Sequence, residues 1–255
     1  MKIGIVGTGT VAKDCYLPVL SSETDVELAY VNRTRAKADT CASTFGGIVY
    51  DSLKELVGWQ PDSIFVLTNE TTRADVLEAL LPLKPPRLFL EKPIVAREGQ
   101  DNVTEDDFHT ARHIMHQADE ANCETAMIFN YRFFEQSRRA REIIDSRDFG
   151  QPLHATALVN YACWSHAIDL IHYFVGPAET VAALNGGTEH KGGGGAARDI
   201  SAAIRFVGGG SGTIHGTWAL NFGFPLYELV VNYERGRIHL RGLDGDLEVL
   251  DYAAD

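Results

Sequence analysis

A chain of 255 residues has room for about two ordinary domains; with 45% hydrophobic and 23% charged residues it holds enough apolar material for a real core, which excludes disorder as its main state. Lys and Arg number 23 against 35 Asp and Glu, a formal charge of −12, and so acidic a chain lacks the electrostatic footprint of a nucleic-acid binder. No apolar run reaches the roughly 20 residues of a membrane-spanning helix, and the N-terminus opens on a strand pattern rather than a signal peptide, so the expectation is a soluble, cytoplasmic protein.

The first half alternates short apolar runs with helical patterns. Strands are predicted at 2–6, 26–31, 62–67, 87–90 and 125–129, with helices at 10–20, 35–45, 73–83 and 104–121. Continuous apolar strands alternating with helices imply a parallel sheet covered on both faces. The helix at Thr104 has a capping residue and Glu105, Asp106 and Asp107 in its first turn, where the helix dipole favours negative charge. Phe108, Ala111, Met115 and Ala118 give it an apolar face by helical spacing.

After about Asn130 the pattern changes. Helices are predicted at 135–147 and 164–175, and alternating strands at 180–184, 200–207, 212–220, 227–233 and 238–240. The glycine run at 208–212 and Glu234-Arg235-Gly236 read as hairpin connections, and 192–195 as a mobile glycine loop. The fold class is thus α/β: a Rossmann dinucleotide-binding domain over residues 1–123, followed by an α+β domain with a mostly antiparallel open sheet over residues 124–255. The strands from 200 to 240 suggest one apolar face for the helices and an opposite face rich in Thr, Tyr, Trp and Phe.

The strongest local signal is Gly7-Thr8-Gly9-Thr10-Val11-Ala12, placed directly after the first strand and opening the first helix. In this GxGxxA pattern Gly7 permits a tight turn, Gly9 lets backbone approach a pyrophosphate, and Ala12 allows close helix–strand packing. The second strand ends at Asn32-Arg33-Thr34, where an NAD-specific site usually carries Asp or Glu for the ribose 2′-hydroxyl. A neutral Asn beside a guanidinium suits a 2′-phosphate instead, so the pattern favours NADP, with NAD the alternative.

Glu91-Lys92-Pro93 follows a predicted parallel strand, at the end where open α/β sheets bind ligands. Joined to the fingerprint, it resembles the Glu-Lys-Pro motif of the glucose–fructose oxidoreductase/inositol dehydrogenase (Gfo/Idh/MocA) family. Thr68-Asn69 resembles that family's cofactor-contacting turn, Asn130-Tyr131-Arg132-Phe133 its entry to the second domain, and His166-Ala167-Ile168-Asp169 its HxxD helix. The resemblance implies cofactor contacts at Thr68, Asn69, Glu91 and Lys92, with Lys92 and His166 acting in proton transfer. Asp169, three residues from His166 and on the same side of a helix, would orient substrate hydroxyls or tune the imidazole. It also implies a homodimer or larger assembly through the open sheet face.

Two departures qualify the resemblance. Many members carry an acid four residues before this His, where the chain has Ala162; where a His is common after the fourth strand, it has Arg73. Tyr161 and Tyr131 are the substitute proton donors. The chain also stops sooner after its sheet strands than most members do, which suggests that a terminal helix is missing.

His109, His113 and His116 share a helix face able to bind zinc, but a solvated stripe is the simpler reading. The cysteines read as small core residues. The expected function is an NADP-dependent oxidoreductase moving hydride to or from a keto/hydroxy or imine group of a small polar substrate such as a sugar derivative. The alternatives are a catalytically silent nucleotide-binding sensor and, third, an enzyme that recycles its bound cofactor during elimination or hydrolysis.

Overall fold

The computed structural model describes residues 1–192, 195–220 and 226–252, and the chain divides into two units, Met1–Ile128 and Phe129–Asp255. In the first, Lys2–Val6 (β1), Glu27–Val31 (β2), Ile48–Val49 (β3), Ser63–Val66 (β4), Arg87–Leu90 (β5) and Glu124–Met127 (β6) form one sheet. All its pairings are parallel, in the order β3-β2-β1-β4-β5-β6. The sheet runs past residue 123, because β6 hydrogen-bonds to β5 along Leu88–Leu90.

The helices of this unit are Leu17–Leu20 (α1), Arg35–Phe45 (α2), Leu53–Gly58 (α3), Glu70–Leu80 (α4) and Glu105–Glu120 (α5). A π-helical turn, Ala12–Tyr16, leads into α1. Strand side chains alternate between faces, and each face has its own core. Ile3, Ile5, Leu28 and Tyr30 pack with Leu17, Ala38 and Cys41; Ala29, Val31, Ile64 and Leu88 pack with Leu56, Leu77 and Ile114. This is the doubly wound arrangement. Between β1 and β4 the strand order reverses direction, and that switch point is where such sheets bind ligands.

Helix α5 starts as predicted, with Thr104 and Asp107 closing a reciprocal capping box. Of its expected apolar face, Ala118 is buried and Ala111 and Met115 pack against the same core, but Phe108 does not. Asp107, Ile114 and Ala118 are buried while Phe108 is 56% exposed, because the Asp107 carboxylate turns inward to accept the Arg97 N–H at 3.0 Å. His109 and His116 lie on the exposed side beside Glu105 and Glu120. Among the described residues no His, Cys, Asp and Glu cluster could hold a metal, and no helix is long and apolar enough to cross a membrane. Three cysteines are buried as expected, whereas Cys15 is exposed.

Among its described residues the second unit has seven strands: Pro152–Asn160 (β7), Ala178–Gly192 (β8), Gly195–Phe206 (β9), Ser211–Thr217 (β10), Tyr227–Tyr233 (β11), Gly236–Arg241 (β12) and Leu247–Asp251 (β13). They order as β13-β12-β11-β7-β10-β9-β8 and pair antiparallel except for β7 with β10. Both predicted hairpins are present, at β9–β10 and β11–β12. Residues 193 and 194 of the expected glycine loop lie outside the described residues. Helices Glu135–Ser146 (α6) and Trp164–Val175 (α7) contribute Ala140, Ile144, Ala167, Leu170 and Phe174 to the core beneath the sheet.

The composition of the two sheet faces differs from the expectation. Tyr227, Leu229, Val231 and Tyr233 share one parity on β11, so both tyrosines turn into the helix-covered core with Phe206. The opposite face is polar: His154 bonds Ser211 and Thr156, His215 bonds Ser201, and His239 sits between Glu228 and Glu248. Phe222 and Phe224 lie outside the described residues.

The capping box makes α5 sensitive to acid. The Arg97 and Thr104 N–H groups hold the Asp107 carboxyl below the usual carboxylate range. A depressed folded-state pKa contributes stability that is present above the unfolded value of about 3.9 and is lost as pH falls through the folded value. Asp107→Asn should therefore melt lower near neutral pH and show a flatter decline in melting temperature on acidification. Parallel acid limbs in the two proteins would contradict this.

Candidate functional site

The first unit holds a cavity of about 570 Å³ at the switch point, lined by Gly7, Gly9, Asn32, Arg33, Thr34, Thr68 and Asn69 together with Lys37 and side chains of α4. Gly7 has φ +97, and a Cβ there would lie 2.8 Å from the Thr68 amide nitrogen and 2.9 Å from the Leu67 carbonyl carbon. Only glycine fits that turn. Gly9 differs: a Cβ built on it meets nothing within 4 Å, so its backbone borders open space of the kind a phosphate group needs. Thr8 is buried, Thr10 and Val11 are exposed, and none of the three lines the cavity.

Asn32 ties the loop to β2. Its Oδ1 accepts from the Thr8 N–H at 3.1 Å and its Nδ2 donates to the Thr34 carbonyl at 2.9 Å. A carboxylate at this position could accept the first bond but not donate the second. The three basic residues nearby have separate fates. Arg35 is drawn to Asp51 and Asp39, whereas Arg33 and Lys37 line the cavity and, among the described residues, pair with no carboxylate.

Asn69 caps α4 by accepting the Thr71 N–H at 3.0 Å. Four residues on, Arg73 is 3% exposed and points its guanidinium at backbone carbonyls. Nη1 donates to Glu91 at 2.7 Å and also to Pro93, and Nη2 donates to Thr68. Glu91 is fixed on both oxygens, by the Tyr16 hydroxyl and by the Lys92 N–H at 3.1 Å. Burial and the Glu91 carboxylate push the Tyr16 phenol far above its usual range, and burial lowers Arg73. Lys92 is half-buried, and its ammonium makes no hydrogen bond or ion pair among the described residues. The sequence marked Arg73 only as a departure and did not mark Tyr16; their roles depend on contacts 18 and 75 residues away.

In the second unit, the His166 ring stacks on Tyr131 at 4.1 Å and 11° and meets Phe129 edge-on at 5.6 Å. Asp169 is held by Arg132 in a two-pronged pair at 2.6 and 2.5 Å, so both its oxygens are engaged. The substitute donors are also engaged: the Tyr161 hydroxyl donates to the Arg198 carbonyl at 2.6 Å, and Tyr131 bonds Cys163 at 3.0 Å. Burial raises both phenols. Neither is a ready acid near neutral pH.

The description "Oxidoreductase family, NAD-binding Rossmann fold" (Gfo/Idh/MocA) matches residues 1–126. Residues 1–126 belong to that family. A comparison with curated proteins gives no match. Solved structures carry the likeness across the second unit. An NAD-binding oxidoreductase from Klebsiella pneumoniae has 17% identity and TM-score 0.79, covering 100% of this chain and 76% of its own. The WlbA dehydrogenase of Bordetella pertussis, solved with NADH and UDP-GlcNAcA, has 18% identity and TM-score 0.77, covering 100% and 78%. An oxidoreductase from Agrobacterium radiobacter, solved with NAD+, L-tartaric acid and magnesium, has 13% identity and TM-score 0.74, covering 100% and 80%. At these identities the likeness of the second unit is one of fold.

The two loop glycines should respond differently to the same substitution. Gly7→Ala collides with the backbone of Leu67 and Thr68 in the turn after β4 and incurs positive-φ strain of about 1–3 kcal/mol, so it should lower the melting temperature. Gly9→Ala should melt like the parent protein yet weaken dinucleotide binding about tenfold or more. Calorimetry and fluorescence titration read both; a Gly9→Ala protein that binds normally would contradict the loop assignment.

Proposed function

We propose that the protein is an NADP-dependent oxidoreductase acting on a keto/hydroxy or imine group of a small polar substrate such as a sugar derivative. The observation that carries the cofactor choice is the pair of cations Arg33 and Lys37, without a carboxylate partner among the described residues, lining the cavity with Asn32. An acid there would repel a 2′-phosphate, whereas two cations attract one by charge-assisted hydrogen bonds. The open space beside the Gly9 backbone suits the pyrophosphate. Bound there, the cofactor supplies or accepts the hydride. The sugar-like substrate class is supported by what the Bordetella relative was solved with, a nucleotide sugar acid.

Carbonyl reduction also needs a proton on oxygen, and alcohol oxidation needs one removed. In this reading the Lys92 ammonium, unpaired within the described residues, steadies the developing alkoxide, and the His166 imidazole moves the proton. Asp169, held by Arg132, orients substrate hydroxyls or tunes the imidazole in this reading. Homo-oligomers through the polar open face of the second sheet, where Leu158 and Leu250 are also exposed, are part of the proposal; light scattering should give at least twice the 28.0 kDa chain mass.

NADPH should bind more tightly than NADH, and Arg33→Ala should remove most of the difference. One charge-assisted contact is worth about 1.5–3 kcal/mol, ten- to a hundredfold in affinity. Lys37→Ala should act in the same direction, whereas Arg35→Ala should leave the preference intact. Equal affinities in the parent protein would sink the NADP assignment.

Lys92→Met and His166→Asn should each lower turnover about 10²–10⁴-fold, with NADPH affinity nearly unchanged. A panel of nucleotide sugar acids, hydroxy acids and polyols supplies the assay. Cofactor binding with no turnover on any of them would favour the silent sensor.

A further inference from the structure

Arg73 is a buried guanidinium that the proposed chemistry does not use. It lies on α4, whose other residues Thr72, Asp75, Val76 and Ala79 line the nucleotide cavity. Its two terminal nitrogens reach the carbonyls of Thr68, Glu91 and Pro93, so one side chain joins the turn after β4 to the turn after β5. Glu91, bonded through its carbonyl to Arg73, has its carboxylate held from the other side by Tyr16 and by the Lys92 N–H. Tyr16 ends the π-helical turn that follows the glycine loop, and π-turns inside helices are frequent at functional sites. Its ring packs edge-on against Phe65, which stacks on Phe89. Three segments around the switch point therefore meet in one polar cluster: the helix after Gly9, the Thr68 turn and the Glu91–Pro93 turn.

We propose that Arg73 and Tyr16, acting through Glu91, are positioning residues that hold Lys92 at the nucleotide site. A guanidinium suits the task because it stays charged at all working pH values and its planar fork satisfies several carbonyls at once. A lysine at 73 would keep the charge but lose the fork. The fixed Glu91 leaves Lys92 a backbone anchored on both sides, while its ammonium remains unpaired among the described residues. This inference rests on the reading of Lys92 as a group beside the cofactor, and the test separates the two.

The test acetylates lysines with N-hydroxysuccinimidyl acetate and follows Lys92 by mass spectrometry, with and without saturating NADPH. In the parent protein NADPH should slow Lys92 acetylation about tenfold, the scale of one buried charge-assisted contact. In Arg73→Lys and Tyr16→Phe the protection should fall below about twofold, although titration shows NADPH still bound. Tyr16→Phe removes one hydroxyl and keeps the ring, so it supplies the test if Arg73→Lys fails to fold. A merely structural role would lower the melting temperature and leave protection at saturation unchanged; that result overturns the proposal. No protection of Lys92 in the parent protein would defeat the reading of Lys92 itself, and the positioning role with it.

Discussion

Two parallel strands of the first unit end side by side with only backbone between their turns. At Gly7 a single added carbon would fall 2.8 Å from the Thr68 amide, so β1 and β4 can approach only because that residue has no side chain. The approach sets where the chain diverges to either side of the sheet, and the divergence leaves the cavity. Everything assigned to the site depends on it. Gly9 borders the opening, Asn32 pins the loop to β2, and Arg73 gathers the turns after β4 and β5.

Charge is distributed around that cavity with some economy. Asn32 uses both ends of its amide on backbone, a pattern that a carboxylate cannot reproduce. Arg35 is neutralised by Asp51 and Asp39, yet Arg33 and Lys37 are left without carboxylates among the described residues. The second unit solves a different problem. There His166 stacks on Tyr131, and Arg132 occupies the nearby Asp169.

The sequence was most legible where the determinants are local. The glycine loop, the Thr104 cap, helix α7 and both hairpin turns follow from residues within a few positions of each other. β7 was missed because Pro152–Asn160 buries Ala155 and Ala157, small residues with weak strand preference; its place at the centre of the sheet comes from its neighbours. The exposure of Phe108 is not legible from helical spacing, because Asp107, not an apolar residue, turns inward to meet Arg97. The aromatic content of the second sheet was visible, but not the parity that sends Tyr227 and Tyr233 into the core. At the site, motif residues were readable one by one. The Tyr16–Glu91–Arg73 cluster was not, since it joins groups far apart in the chain.

The most direct test of the dinucleotide assignment is a crystal structure of the protein grown with NADPH. The account predicts density for the pyrophosphate against the Gly9 backbone and for the 2′-phosphate between Arg33 and Lys37, with Arg35 still paired to Asp51. A nucleotide bound elsewhere, or a 2′-phosphate turned to solvent away from both cations, would contradict it.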